Sequence, residues 1–217
     1  MSERVDHSSD SMTGQVESLL PVHDGAAAAP PTGAHASGTQ FLSLADQTML
    51  MRARKGDARA LREFYDGHHD QVRAHLYRLL GPDSELDDVM QTVFARAFTA
   101  LAEFRGNSTI STWLYRITAN TTHNLLRQRY RRDRLQLAFR WFNVSREAHL
   151  SSGHVDVRDE AQRLLQRLHP DLREVFVLYY YEGLTLQEIS EVLDKPISTL
   201  GDRLTRARKR LQRLVHA

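Results

Sequence analysis

The clearest periodic pattern of apolar and polar positions lies near the C-terminal end, over residues 185–215. Thr185 and Glu188 have the spacing of a capping box, which predicts the start of a short helix with one apolar face. The run Leu193-Asp194-Lys195-Pro196 predicts its end, because proline lacks an amide donor and disfavours helix in the residue before it. Ser198 is then predicted to cap a second helix.

The second helix carries two parallel stripes of side chains. The apolar stripe has the spacing of a buried helical face and consists of Leu200, Leu204, Ala207, Leu211 and Leu214. The mostly basic stripe runs one residue earlier and consists of Thr199, Arg203, Arg206, Arg210 and Arg213. A short helix, a turn and a basic second helix are typical of the helix-turn-helix, whose second helix enters the DNA major groove. The plain alternative is a solvated helical hairpin, since a charged helix face is often only solvent-exposed.

Helical periodicity continues through most of the chain before this stretch. Helices are predicted over about 43–55, 57–80, 83–104, 158–168 and 171–181, and Ser111 is predicted to cap a long helix that reaches about residue 132. The sequence contains no strand pattern. The predicted fold class is therefore all-α, with two small helical domains joined by a flexible linker and a helix-turn-helix in the second domain.

Two segments outside these helices lack a regular period. Residues 1–40 are rich in Ser, Gly, Ala, Pro and His, and this composition predicts a disordered tail. Residues 133–157 are predicted to be the linker, with a short helix near 135–142 as an alternative. The predicted domains are accordingly residues 41–132 and 158–217.

Two groups of side chains invite a catalytic or metal-binding interpretation, but their surroundings favour a plainer one. His68, His69 and His75 have no carboxylate or cysteine at an obvious ligand spacing, so a metal site is disfavoured. Asp87 and Asp88 are adjacent carboxylates, yet no nucleophile, base or glycine-rich phosphate loop accompanies them. A protein-binding or solvated face is favoured there. We expect no cofactor and no enzymatic activity.

The long helix after Ser111 has polar side chains at intervals of about one turn: Arg116, Asn120, His123, Asn124 and Arg127. Aromatic residues interleaved with Arg and Asn suit single-stranded bases, which stack on rings and hydrogen-bond through their edges. For Trp113 itself, packing in the core is the favoured interpretation.

Charge and composition strengthen the nucleic-acid interpretation. The formal net charge is only +2, yet the pI is about 9.0. Arginines cluster within 127–134 and again within 203–213, which suggests two separate contacts with a polyanion. The absence of cysteine from the sequence excludes disulfides and thiolate metal sites. The sequence shows neither a signal-peptide pattern nor an apolar run long enough to span a bilayer, so a cytoplasmic location is expected.

The order of these elements, over about residues 44–215, resembles the extracytoplasmic-function class of the bacterial sigma-70 family. The family's polymerase-binding segment is similar to DDVMQTVFARAF, and its −10 segment to FRGNSTISTWLYRITANTTHNLLRQRYRR. Its region 4 is similar to LHPDLREVFVLYYYEGLTLQEISEVLDKPISTLGDRLTRARKRL. The resemblance implies a dissociable subunit that directs core RNA polymerase to promoters in a stress or envelope response. It also implies an anti-sigma factor as a partner, and association with the nucleoid when polymerase is bound.

The resemblance assigns roles to particular residues. The polymerase-binding set is Asp87, Asp88 and Gln91. The set for the opened −10 element, which includes a loop that holds a flipped base, is Asn107, Ser108, Arg116, Asn120, Asn124 and Arg127. The set for the duplex −35 element is Ser198, Thr199, Asp202, Arg203 and Arg206.

The recognition helix departs from the family pattern at two positions. Gly201 stands where a basic residue is common, and Asp202 where a small residue is usual. An acid repels phosphate but can accept a hydrogen bond from cytosine N4, so the −35 preference is left open. Two other functions remain alternatives: a two-domain helix-turn-helix regulator that binds duplex DNA without polymerase, and a metal-dependent enzyme that uses the histidines.

Overall fold

The computed structural model describes the backbone of residues 42–142 and 157–216, with side chains for 42–135 and 159–216. Those residues form α-helices and a short 3₁₀ turn, and no strand occurs among them, so the predicted all-α class is confirmed. The predicted tail and residues 143–156 of the predicted linker lie outside the described residues. The helices are α1 (Leu44–Arg54), α2 (Ala58–Leu80), α3 (Leu86–Ala100), α4 (Ile110–Phe142), α5 (Val157–Gln166), α6 (Pro170–Tyr180), α7 (Leu186–Leu193) and α8 (Ile197–Val215).

Side-chain caps fix the starts of three helices where the sequence predicts them. The Ser43 hydroxyl accepts a hydrogen bond from the Asp46 amide at the start of α1. The Asp57 carboxylate accepts from two amides at the start of α2. At α7 both halves of the capping box form between Thr185 and Glu188. Each cap satisfies amides that have no partner inside the helix.

Helix α4 begins and ends differently from its prediction. The predicted cap, Ser111, lies inside the helix, and Thr109 accepts the hydrogen bond from the Thr112 amide at 3.0 Å. The helix continues to Phe142, well beyond residue 132, so the first part of the predicted linker is helical. Arg129 supports this extension, because its guanidinium contacts Asp83 and Glu85, each at 2.5 Å.

The predictions for α3 and α8 also need correction at their starts. Helix α3 begins at Leu86 because Asp83 forms a turn in which its carboxylate accepts from the Glu85 amide at 2.7 Å. The predicted cap of α8, Ser198, is an exposed residue of the first turn. Pro196, whose ring holds φ at −59°, occupies the N-cap position, and the helix begins at the next residue, Ile197.

Each half of the molecule has its own apolar core. The first half, from α1 to α4, is built around fully buried side chains such as Phe64, Leu76 and Leu114. The second half, from α5 to α8, buries the whole apolar stripe of α8 against Val175 and Phe176. Truncating a buried leucine of this kind to alanine costs about 2–5 kcal/mol.

The two cores also reach into one another. Val177 of α6 packs in the core of the first half, whereas Tyr115 and Ala119 of α4 pack in the core of the second. Helix α4 lies against α7, and α2 lies against α5 and α6. The two halves are therefore in close contact, and the polar surfaces described next lie around that contact.

Candidate nucleic-acid interface

Helices α7 and α8 form the predicted helix-turn-helix. The turn is defined by Asp194, whose φ of 53° lies in the left-handed region, and by the Ser190 hydroxyl, which donates to the Lys195 carbonyl at 2.6 Å. Because this turn and the buried stripe fix α8, the opposite face of the helix is turned outward. The exposed residues of the predicted −35 set are Ser198, Asp202 and Arg206, while Thr199 is half-buried.

Arg203, the remaining residue of that set, faces the rest of the protein. Its side chain is only 17% exposed, and its guanidinium lies 3.2 Å from the Asp171 carboxylate of α6. Arg127 of α4 lies 3.5 Å from the same carboxylate oxygen. A residue of the predicted −10 set and one of the predicted −35 set therefore share an acid.

The predicted −10 surface consists of a loop and one face of α4. Asn107 is exposed in the loop and Ser108 is half-buried, next to Gly106, whose positive φ of 76° allows the tight turn. On α4 the other four residues of the predicted −10 set are all exposed: Arg116, Asn120, Asn124 and Arg127. Trp113 packs against Phe104 with ring centroids 4.9 Å apart, as the core-packing interpretation predicts.

The arginine cluster at the far end of α4 does not act as one patch. Arg129 is 13% exposed and is held by acids before α3, as described above. Others line an open groove of about 650 Å³, formed by Arg127, Tyr130, Arg131, Arg134, Leu135 and His169. The Tyr130 and His169 rings meet edge to face at 4.9 Å. A basic groove with aromatic rings suits a nucleic-acid strand.

The predicted polymerase-binding residues lie on the solvent side of α3. Asp87, Asp88 and Gln91 are all exposed, and Met90 and Val93 are buried on the other side of the helix. Asp87 has a loose ion pair with Arg73 of α2 at 3.6 Å. This acidic and polar face is therefore open to a partner.

A small cleft of about 250 Å³ separates the two predicted DNA surfaces. Asn120 and His123 of α4 line one side, and Glu174 and Arg203 line the other. The pKa of the Glu174 carboxyl is raised to about 7, chiefly by burial and also by nearby Asp171, while the positive charges of Arg203 and Arg127 oppose the shift. One oxygen of Glu174 has no hydrogen-bond partner among the described residues.

Sequence reasoning missed the buried polar contact between the halves. Glu182, just after α6, contacts His75, Arg78 and Tyr115 of the first half. The sequence pattern marks His75 only as a candidate metal ligand. Within residues 42–142 and 157–216, no group of acidic or histidine side chains could hold a metal ion. The same ranges contain no helix that is both long and apolar enough to cross a membrane.

The fold and these surfaces define a two-domain, all-α DNA-binding protein with a helix-turn-helix. Residues 64–143 match the family described as Sigma-70 region 2, and residues 158–211 match Sigma-70, region 4. The chain belongs to the extracytoplasmic-function (ECF) class of the sigma-70 family. It is an RNA polymerase sigma factor, which directs core polymerase to specific promoters.

Two similar proteins match this chain over nearly their whole length. The ECF RNA polymerase sigma-E factor of Escherichia coli strain K12 is 30% identical over 183 residues, which is 79% of this chain and 95% of the relative. The RNA polymerase sigma-H factor of Pseudomonas aeruginosa is 32% identical over 179 residues, 77% of this chain and 92% of the relative.

Two solved structures share the fold. CnrH, in complex with the cytosolic domain of CnrY, has a TM-score of 0.58 and 27% identity, and the match covers 79% of this chain and 97% of CnrH. The sigma factor RpoE of Bartonella quintana, in complex with the anti-sigma factor NepR, has a TM-score of 0.54 and 24% identity. That match covers 72% of this chain and 98% of RpoE.

Proposed function

We propose that this sigma factor uses three separate surfaces, one for core polymerase and two for promoter DNA. The exposed face of α3, with Asp87, Asp88 and Gln91, binds core polymerase. The loop at 105–109 and the polar face of α4 bind the opened −10 strand, and the outward face of α8 reads the duplex −35 element. The single observation that carries this proposal is α8 itself: its apolar stripe is buried and its Ser198, Asp202 and Arg206 face solvent.

The −10 assignment is supported by the geometry of the loop and α4. Asn107 is exposed beside a half-buried Ser108, so a base turned out of the helix would find hydrogen-bonding groups at this edge. Extruding a base costs a few kcal/mol, which contacts in the pocket and with polymerase must offset. The exposed Arg116, Asn120 and Asn124 continue the polar surface along α4.

The −35 assignment is supported by α8, whose first turns carry the residues that reach base edges in a helix-turn-helix. Arg206 is exposed and free to make a bidentate contact with guanine. Asp202 is exposed one turn earlier and suits the N4 amine of cytosine. We expect a −35 preference in which both bases occur.

We further propose that the protein acts in the cytoplasm, contributes no catalytic chemistry of its own, and is held inactive by an anti-sigma factor until a stress or envelope signal arrives. The exposed polar faces of α3, α4 and α8 support a binding function. The similar sigma factor RpoE was solved with its anti-sigma factor, which supports a partner of the same kind here.

The decisive experiment uses the full chain, purified core polymerase and a library of randomised promoters. We expect transcripts only when both proteins are present, and sequencing should show two enriched elements at a fixed spacing. DNA binding without any polymerase-dependent transcript would instead favour the plain regulator. The Asp88→Arg/Gln91→Ala variant serves as the negative control, and a charge reversal at exposed Asp66 of α2 is the matched control.

A further inference from the structure

The polar contact between the halves is centred on one buried glutamate. Glu182 is only 6% exposed, and its Oε1 lies 3.0 Å from both His75 Nδ1 and an Arg78 guanidinium nitrogen of α2. Its Oε2 accepts a hydrogen bond from the Tyr115 hydroxyl of α4 at 2.5 Å. A single side chain of the second half therefore binds two helices of the first.

A layer of further groups holds these partners in place. The Tyr115 hydroxyl accepts from the Gln71 amide, whose oxygen in turn accepts from the Ser111 hydroxyl at 2.9 Å. The Arg78 guanidinium lies 4.9 Å from the centre of the Tyr181 ring, next to Glu182 in the chain. The carboxylate therefore meets a preorganised set of donors.

The charge state of Glu182 fits this arrangement. Burial by itself raises the pKa of the carboxyl, but hydrogen bonds from His75 and Tyr115 and the positive charge of Arg78 outweigh it and hold the pKa below its ordinary value. Glu182 is thus an anion in the closed protein, and its negative charge is compensated on the side of the first half.

A second polar contact lies along the seam, which is the surface where α2 and α4 of the first half meet α5, α6 and α7 of the second. Arg173 of α6 donates to the carbonyl of Leu79 and, within its own half, to the carbonyls of Gln166 at 2.7 Å and Leu168 at 3.2 Å. Gln162 of α5 donates to the Tyr77 carbonyl at 2.6 Å. The Tyr77 carbonyl also accepts from the Gly81 amide that caps α2, and the second half supplies further donors to the carbonyls in the last turn of this helix.

Opening the seam exposes the interlocking Val177, Tyr115 and Ala119, but the polar part of the seam lowers the cost. Charged and polar groups regain water when the two halves separate, whereas an apolar core of the same size would not. The closed seam also engages residues assigned to DNA: Asn120 lies across a narrow cleft from Arg203, and Arg127 reaches across to Asp171, which pairs with Arg203 inside the second half.

We propose that Glu182 is a latch that holds the free sigma factor closed and masks Arg203 and the adjacent face of α4, so that promoter binding requires the two halves to separate. This inference rests on the −10 and −35 assignments for its functional consequence. The latch itself does not depend on them. If the open form is one tenth of the population or less, the apparent affinity for DNA is lowered about tenfold or more.

The latch is tested by thiol labelling of the full chain, which has no native cysteine. Ala119→Cys places a thiol on α4 at a position that is 4% exposed and covered by the second half. Ala60→Cys places one inside the first core, away from the seam, and Arg116→Cys places one on the open surface. Only the first should report separation of the halves.

The latch is weakened in two ways in each cysteine background. Glu182→Gln removes the charge and keeps the shape, and Arg78→Ala removes a partner that is 29% exposed and so less important for folding. The matched control is Glu63→Gln, a change of the same chemistry on the exposed side of α2. We expect both latch variants to speed labelling at Ala119→Cys about tenfold and to leave Ala60→Cys unchanged, with no effect of the control.

Each outcome decides the question. Unchanged labelling at Ala119→Cys in both variants would overturn the latch. An equal rise at Ala60→Cys would also overturn it, because Glu182 would then stabilise the whole fold.

Binding of a duplex with the enriched −35 element tests whether the closed form masks the DNA-binding residues. A tenfold tighter complex for Arg78→Ala than for wild type supports the masking, and equal affinities overturn it. Faster labelling without duplex binding by any form would leave the latch standing and reject the −35 assignment.

Discussion

The face of α3 proposed for polymerase is exposed throughout, whereas the face of α8 proposed for the −35 element includes one side chain that is largely covered, Arg203. Asp88 and Gln91 are exposed, and only Asp87 has an ion pair, with an arginine 3.6 Å away. Arg203 is 17% exposed and bound to an acid. In this closed form the proposed polymerase-binding face is complete, whereas the proposed −35 face lacks an exposed Arg203. This difference fits a subunit that meets polymerase first and promoter second.

The largest effect should come from charge reversal on the open face. Asp88→Arg with Gln91→Ala should weaken core polymerase binding about a hundredfold, or about 3 kcal/mol, because a repulsive charge would enter the interface. Pull-down or titration with core polymerase measures this, and circular dichroism checks that helix content is unchanged. Normal affinity of the folded variant would show that α3 is not part of the polymerase interface, so its exposure would say nothing about the order of binding.

The next largest effect concerns Glu174, which lies beneath the DNA surfaces. Its pKa of about 7 is above the ordinary 4.5, so the folded protein binds more protons than the unfolded chain between these values. The contribution of Glu174 to the free energy of unfolding is therefore greatest at low pH, and it is lost as the pH rises through 7. From pH 5 to 7 the loss is about 2 kcal/mol.

The measurement compares denaturant unfolding of wild type and Glu174→Gln at several pH values. The variant has no titrating group at this position. Between pH 5 and pH 7 its free energy of unfolding should therefore rise by about 2 kcal/mol relative to that of wild type. Glu182, whose pKa is lowered, acts in the opposite sense, but it is present in both proteins and cancels from the difference. A constant difference would show that Glu174 is already ionised at pH 5.

Arg206 tests the outward face of α8. Arg206→Ala should weaken binding to the duplex −35 element by about 1–3 kcal/mol if the contact with guanine is bidentate, and should spare a single-stranded −10 oligonucleotide. Arg213→Ala lies on the same stripe two turns later and is the matched control, with a smaller and sequence-independent effect. Loss of single-strand binding by Arg206→Ala would contradict the separation of the two DNA surfaces.

Local signals account for what the sequence predicts well. The capping box at Thr185 and Glu188, and the stripe from Leu200 to Leu214, depend on neighbours within a few residues, and both form as predicted. The caps predicted at Ser111 and Ser198 fail because a nearby Thr109 or Pro196 takes the position first. Choosing between adjacent candidates depends on the path of the preceding loop, which the sequence pattern does not specify.

Contacts across the seam lie beyond any local pattern. His75 and Glu182 are 107 positions apart in the chain, and neither stands out within its own stretch of sequence. The continuation of α4 beyond residue 132 depends in part on Arg129 meeting Asp83 and Glu85, which are also distant in sequence. The roles given to individual site residues were proposed from family resemblance, and they stay predictions until the variants are measured.

The smallest expected effect on binding, and the sharpest test of the division between surfaces, comes from the −10 side. Asn107→Ala with Asn120→Ala should leave the closed promoter complex intact, because duplex contacts through α8 and polymerase contacts through α3 are untouched. Strand opening should fall, because the extruded base loses hydrogen-bonding partners and its unstacking cost is no longer offset. Permanganate reactivity of unpaired thymines measures the opening, and Gln128→Ala, an exposed change on the same helix, is the control. If the asparagine pair weakened closed-complex formation as strongly as Arg206→Ala, the two DNA surfaces would act as one, and their separation in this fold would have no functional meaning.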